Sequence, residues 1–196
     1  MIASMLVAGA NKLRLGNGLA TTTDVGPVVN TSQLQKIESY MPVARDDGAT
    51  IAAGGGRASG NGLDRGYFFE PTVLLDATRD MRVSQEEIFG PVTALIKVRS
   101  LEEALDVNNG VMYGLSSSIY TRDVNRAFKA MERLDTGIVY VNAGTIGAEV
   151  HLPFGGMRGT GNGHREAGIA ALETFTEWKS IYVDYSGKLQ KAQIDP

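Results

Sequence analysis

The chain has 196 residues, 43% of them hydrophobic and 21% charged, which is enough length and apolar material for one globular domain with a core. Its 19 basic and 22 acidic side chains leave a formal charge of -3, so no broad electropositive field exists for nucleic acid or an anionic membrane. It contains no cysteine, which excludes disulfides, thiolate metal sites and cysteine nucleophiles within these residues.

Residues 2 to 13 are apolar with small alanines between, and Gly16 and Gly18 follow, a pattern that predicts a helix stopping at glycine. From Thr31 to Asp47, Leu34, Ile37, Met41 and Ala44 form one stripe. The spacing predicts a second helix, kinked or ended early by Pro42 and closed by Gly48. Thr50 to Ala53 reads as a short strand. The six glycines between Gly54 and Gly66 mark a surface loop leading into a strand over Tyr67 to Leu75.

Strand and helix patterns then alternate. Val92 to Val98 is a mostly apolar strand, Leu101 to Val107 a helix opened by a capping box at Ser100 and Glu103, and Leu115 to Tyr120 another strand. Val124, Ala127, Phe128, Met131 and Leu134 recur at helical spacing, and Gly137 to Val141 is a buried-type strand. Such alternation implies an α/β fold with a mostly parallel sheet and flanking helices. A last helix is expected over Arg165 to Phe175, then a strand over Glu177 to Tyr185 that invites pairing with another subunit. Residues 1–175 are thus expected to form the main domain and 176–196 an oligomerisation strand and tail.

No apolar run approaches the roughly 18 residues of a membrane span, and the first residues lack a signal-peptide pattern; a cytoplasmic chain without membrane or nucleic-acid partners is expected. His151 and His164 do not form a helix-spaced ligand pair, so no metal site is expected.

The segment Glu-Glu-Ile-Phe-Gly-Pro-Val over 86–92 reads on physical grounds alone as a solvated helix end entering a turn. As a string it resembles the aldehyde dehydrogenase superfamily. Other motifs follow the same family order: Lys-Leu-Arg-Leu-Gly-Asn-Gly-Leu over 12–19 with Asp-Val-Gly-Pro over 24–27, Gly-Tyr-Phe-Phe-Glu-Pro-Thr over 66–72, Asn108-Asn109 with Tyr113-Gly114-Leu115, Gly-Ile-Val-Tyr-Val-Asn over 137–142, Pro-Phe-Gly-Gly over 153–156 and Gly-Asn-Gly-His-Arg-Glu over 161–166. The resemblance covers essentially the whole chain.

The resemblance implies the catalytic-domain part of that fold and oxidation of an aldehyde to a carboxylic acid with NAD or NADP. It implies that Glu87 accepts hydrogen bonds from the nicotinamide-side ribose and that Phe89 packs beside it; a carboxylate can accept from two vicinal hydroxyls at once. Gln33 and Lys36 match positions near the adenosine side, where two exposed helix residues would look alike, and Leu115 matches an apolar residue near the nicotinamide. Phe154 is a candidate wall of the aldehyde pocket. Gly147–Val150, Val183–Gly187 and Ala192–Ile194 resemble semialdehyde dehydrogenases of the oxoglutarate and antiquitin-like branches, whose substrates carry a distant carboxylate. Backbone N–H groups around Gly147 and Ala148 could bind it.

Gly155 and Gly156 are expected to permit backbone conformations closed to other residues, and Arg165 and Glu166 to form a helix-end charge pair. In relatives the cysteine, the general base and the cofactor-phosphate loop lie before the position matching Met1. Gly54–Gly56 sits in a loop and reads as a turn, not as a phosphate cradle. No catalytic residue is therefore assigned, and this chain alone is not expected to bind the cofactor tightly or to turn over. Two readings remain open: a piece of an active homo-oligomeric dehydrogenase, or a non-catalytic oligomerisation module derived from that family.

Overall fold

A computed structural model describes residues 1–147 and 149–188. Six helices and five strands appear among them: α1 (Ile2–Ala10), α2 (Thr31–Asp46), β1 (Thr50–Ala53), β2 (Thr72–Ala77), α3 (Arg82–Gln85), β3 (Val92–Ile96), α4 (Leu101–Asn109), β4 (Ser116–Ile119), α5 (Val124–Arg133), β5 (Ile138–Val141) and α6 (Ala170–Phe175). The α/β alternation expected from the sequence is present.

The first sheet has the order β1-β2-β3, and β4 with β5 forms a second. β1 runs antiparallel to β2, while the β2–β3 and β4–β5 pairings are parallel. β2 is the central strand, and Thr72, Val73, Leu74 and Ala77 are buried in it, as a strand flanked on both sides requires. It begins later than Tyr67 because residues 68–70 pair irregularly with the glycine loop: the Ala58 and Glu70 amides donate to the Phe68 and Gly56 carbonyls. At Gly54 an added Cβ would lie 2.5 Å from the Pro71 carbonyl oxygen, so this glycine permits strand and loop to touch.

Packing of α2 on this sheet makes the core. Leu34, Ile37, Tyr40, Met41 and Ala44 meet Phe69, Leu74, Val83 and Ile88. Pro42 does not end the helix, which continues to Asp46; burial of Met41 and Ala44 outweighs the one backbone hydrogen bond proline removes. α1, although apolar, has no buried residue, and it ends at Ala10 with an Asn11 cap, short of the glycines.

Three expectations need correction. Arg165 and Glu166 are not on a helix: Glu166 pairs with Phe154 as an antiparallel bridge, and α6 starts only after the left-handed Ala167 (φ +62) and Gly168 (φ +58). Gly155 and Gly156 do not have positive φ; they are small because Arg165 and Thr160 crowd them, at 2.8 and 2.6 Å from an added Cβ. The capping box is half formed: Ser100 Oγ accepts from the Glu103 amide at 3.1 Å, but Glu103 Oε2 takes the Arg99 amide at 2.7 Å. Residues 177–185 belong to no helix or strand, and Trp178 and Tyr185 are more than nine-tenths exposed. The strand expected there is not formed among the described residues, where no ladder pairs with this segment.

Candidate functional site

Helix α2 and the turn after α3 create the first half of the site. Asn30 caps α2, its side chain accepting from the Gln33 amide at 2.9 Å. Gln33 then donates its side-chain amide to two carbonyls, Ile88 at 2.9 Å and Phe89 at 2.8 Å. Ile88 is buried in the core, whereas Phe89 stands 73% exposed with φ +56. A bulky residue in that region costs about 1–3 kcal/mol, so its surroundings must hold it there. Gly90 follows where an added Cβ would come within 2.4 Å of Ile37 Cδ1, and the Pro91 carbonyl accepts the Thr72 amide at 2.8 Å, joining the turn to β2.

The two adjacent carboxylates differ completely. Glu86 accepts from Tyr40 Oη at 2.8 Å and from Arg82 Nε and Nη2 at 2.8 and 2.9 Å; the guanidinium lies over the Tyr40 ring, 5.9 Å from its centroid. Arg82 first, then Tyr40, holds the Glu86 carboxyl down at about 2, while burial first, then Glu86, pushes the Tyr40 hydroxyl up. Glu87 is exposed and has no hydrogen bond or ion pair among the described residues. Lys36, one turn along α2, is exposed as well.

The second half rises from β4 and β5. Leu115 directly precedes β4, its carbonyl accepting the Ile138 amide at 3.1 Å, and its side chain is 39% exposed. Asn142 extends the pairing beyond the strand ends by accepting the Thr121 amide at 2.8 Å and donating to the Thr121 carbonyl at 3.0 Å. Its left-handed φ of +54 turns the chain into the following loop. There Gly147 has φ +95 and its carbonyl accepts from Tyr140 Oη at 2.9 Å; Ala148 lies outside the described residues. Phe154 is half-buried and fixed by paired backbone bonds of 2.6 and 2.7 Å to Glu166.

Arg158, a residue the sequence reading passed over, holds this half together. It donates to the Asn109 and Tyr113 carbonyls at 2.8 and 2.5 Å and meets Asp135 at 3.1 Å. Asn109 spans the same junction, bonding the Arg133 carbonyl and the Asp135 amide, and Asn108 accepts from Ser117 Oγ at 2.8 Å. The signal was the basic residue two positions after Pro-Phe-Gly-Gly, beside two asparagines that end a helix. Among the described residues no group of three or more His, Asp or Glu could hold a metal ion, and no helix is long and apolar enough to cross a membrane.

Scaffold and motif order together define part of an aldehyde dehydrogenase fold. Residues 2–181 match the aldehyde dehydrogenase family, and the chain belongs to it. It is 43% identical over 181 residues to an α-ketoglutarate semialdehyde dehydrogenase of Haloferax volcanii, covering 92% of this chain and 37% of that protein. A betaine aldehyde dehydrogenase of Mesorhizobium japonicum is 40% identical over 179 residues, covering 91% and 36%. A Staphylococcus aureus betaine aldehyde dehydrogenase solved with NAD+ superposes with a TM-score of 0.90 at 36% identity, over 95% of this chain and 38% of that one. The chain thus spans little more than a third of the length of the relatives it matches.

Proposed function

We propose that these residues supply the nicotinamide-ribose contact and one wall of the aldehyde pocket in an NAD(P)-dependent aldehyde dehydrogenase, and that the 196 residues alone do not turn over. The observation carrying this reading is the contrast at 86–87: Glu86 is fully engaged, while Glu87, beside an exposed left-handed Phe89, keeps both carboxylate oxygens uncommitted. Two such oxygens suit a vicinal diol. Phe89 and Leu115 would flank the ribose and nicotinamide, with Lys36 and Gln33 toward the adenosine side. The cofactor, when bound, supplies a hydride acceptor. Phe154 would line the aldehyde pocket.

A carboxylated semialdehyde is the substrate class we favour, with amides near Gly147 and Ala148 as the anion contact; the α-ketoglutarate semialdehyde for which the Haloferax relative is named is such a compound. Family chemistry requires a thiolate nucleophile, and the chain has no cysteine. Residues 1–175 would be a partial catalytic domain and 176–196 an oligomerisation strand and tail, in a cytoplasmic homo-oligomer. The other reading, a non-catalytic oligomerisation module, draws on the exposed apolar surface of α1 and of residues 169–185, including Ile2, Met5, Phe175 and Trp178.

Mixing the purified chain with NAD and α-ketoglutarate semialdehyde should give no NADH absorbance, and turnover would overturn the assignment of inactivity. Titrating the chain with NAD under NMR observation should move the Glu87 and Phe89 signals; shifts confined elsewhere would overturn the ribose assignment. Sedimentation should show an assembly larger than one chain, and a monodisperse monomer would remove the oligomerisation strand from the reading.

A further inference from the structure

Gln33, Ile37 and Tyr40 are spaced i, i+4, i+7 on α2 and so share one face. All three engage the same five-residue turn. Gln33 donates to the carbonyls of Ile88 and Phe89, Ile37 lies against Gly90, and Tyr40 donates to Glu86. We propose that Gln33 is a positioning residue for the turn: its side-chain amide holds Phe89 in its left-handed conformation, and that turn leaves the Glu87 carboxylate uncommitted. The inference rests on the reading of Glu87 as the ribose acceptor.

Three features carry it. A side-chain amide has a single NH2 group, and Gln33 gives it to two backbone oxygens of the turn, those of Ile88 and Phe89. Phe89 would leave positive φ unless its surroundings over-determined it, and its carbonyl is one of the two that Gln33 holds. Gln33 is itself fixed, because Asn30 caps its amide and the buried neighbours Leu34 and Ile37 lock the first turn of α2 onto the core. Glu86, gripped by Tyr40 and Arg82, anchors the other end of the turn.

The test uses the 196-residue chain with Gln33→Met, which keeps volume and removes the donors, and Gln33→Lys, which restores a donor at similar length. The Phe89 amide-to-Hα NMR coupling reads its φ. Methionine should shift that coupling away from the left-handed value while lowering the thermal midpoint by only the few degrees that two lost hydrogen bonds imply, and lysine should retain the coupling. An unchanged coupling in the methionine variant overturns the proposal.

For NAD, both Gln33→Met and Glu87→Gln should weaken the NMR-detected affinity by about tenfold. The double variant should be no weaker than Glu87→Gln alone, because one acts through the other; multiplying losses would overturn the positioning role. If Glu87→Gln changes nothing, the ribose reading fails, while the Phe89 coupling still decides what Gln33 does.

Discussion

The two halves of the site are held by different forces. Around the 86–90 turn the support is a continuous apolar core, with Leu34, Ile37, Ala44, Phe69 and Leu74 all nearly inaccessible. Around Phe154 the support is polar: no residue of β5 is buried, α5 buries only Ala127 and Ala130, and Arg158, Asn109 and Asn142 join the segments through carbonyls and amides. Apolar burial is nondirectional and tolerates displacement, whereas hydrogen bonds fix geometry but add about 0.5–1.5 kcal/mol each. The 86–90 turn is therefore the more self-sufficient half, and the loop around Phe154 is the one whose order depends on a few side-chain donors.

Substitutions can break that contrast. Phe69→Ala, at a site 1% exposed, should cost about 3–5 kcal/mol in urea unfolding. Val139→Ala in half-buried β5 should cost about 0.5–1.5 kcal/mol, because the two methyl groups it removes are only partly buried; equal losses would erase the distinction. Gly137→Ala puts a Cβ 1.8 Å from the Gly155 carbonyl oxygen, a collision that neither backbone can avoid in place. It should release the 153–161 segment, at about 1–3 kcal/mol, and limited proteolysis should cut there while the 86–90 turn keeps its NMR signals. Arg158→Met should cost about 1–3 kcal/mol by leaving carbonyls of Asn109 and Tyr113 unpaired, and it should shift signals at Asp135 before any in β2. Asp123→Ala, removing the α5 cap that accepts from Asn125 and Arg126, should cost about 1 kcal/mol and fray only that helix.

Much of this was legible in the sequence because it rests on periodicity. The α2 stripe, the strands at 92 and 116 and the helix at 124 follow from apolar spacing, and their ends shifted by only a few residues. Elements that depend on distant partners were not legible in that way. Arg165 and Glu166 look like the start of a helix, yet Phe154 draws Glu166 into a bridge, which no local pattern records. Gly155 and Gly156 look like conformational glycines, but what excludes a side chain is the approach of Arg165 and Thr160. At the site, resemblance pointed to Glu87 and Phe89 without the reason the turn holds them. That reason, Gln33 bonded to carbonyls 55 and 56 residues away, is a tertiary contact. Arg158 escaped notice for the same reason, since each of its partners lies more than 20 residues distant.

The smallest expected effect concerns acid, and it separates the halves by titration instead of packing. The Glu86 carboxyl is lowered from its ordinary 4.5 to about 2, chiefly by Arg82 and then by Tyr40. A carboxyl whose folded value lies below its unfolded value stabilises the fold above about pH 4.5, and that contribution is lost as pH falls toward 2. Asp24, lowered to about 2 beside Arg14, titrates over nearly the same range, so a global acid unfolding curve would blend the two. Local NMR signals can separate them: those of Tyr40 and residues 86–90 should follow Glu86, and those of residues 14–25 should follow Asp24. Glu86→Gln should remove the first step and leave the second, whereas Asp24→Asn should do the reverse. Both pairs are well exposed, so added salt should shrink both steps. The bridge between Phe154 and Glu166 offers a control, because both of its bonds are backbone to backbone: its signals should hold through the window in which the 86–90 turn begins to move, so that acid orders the two halves opposite to packing, and a bridge that moved first would tie the acid loss to the weaker packing instead of to Glu86.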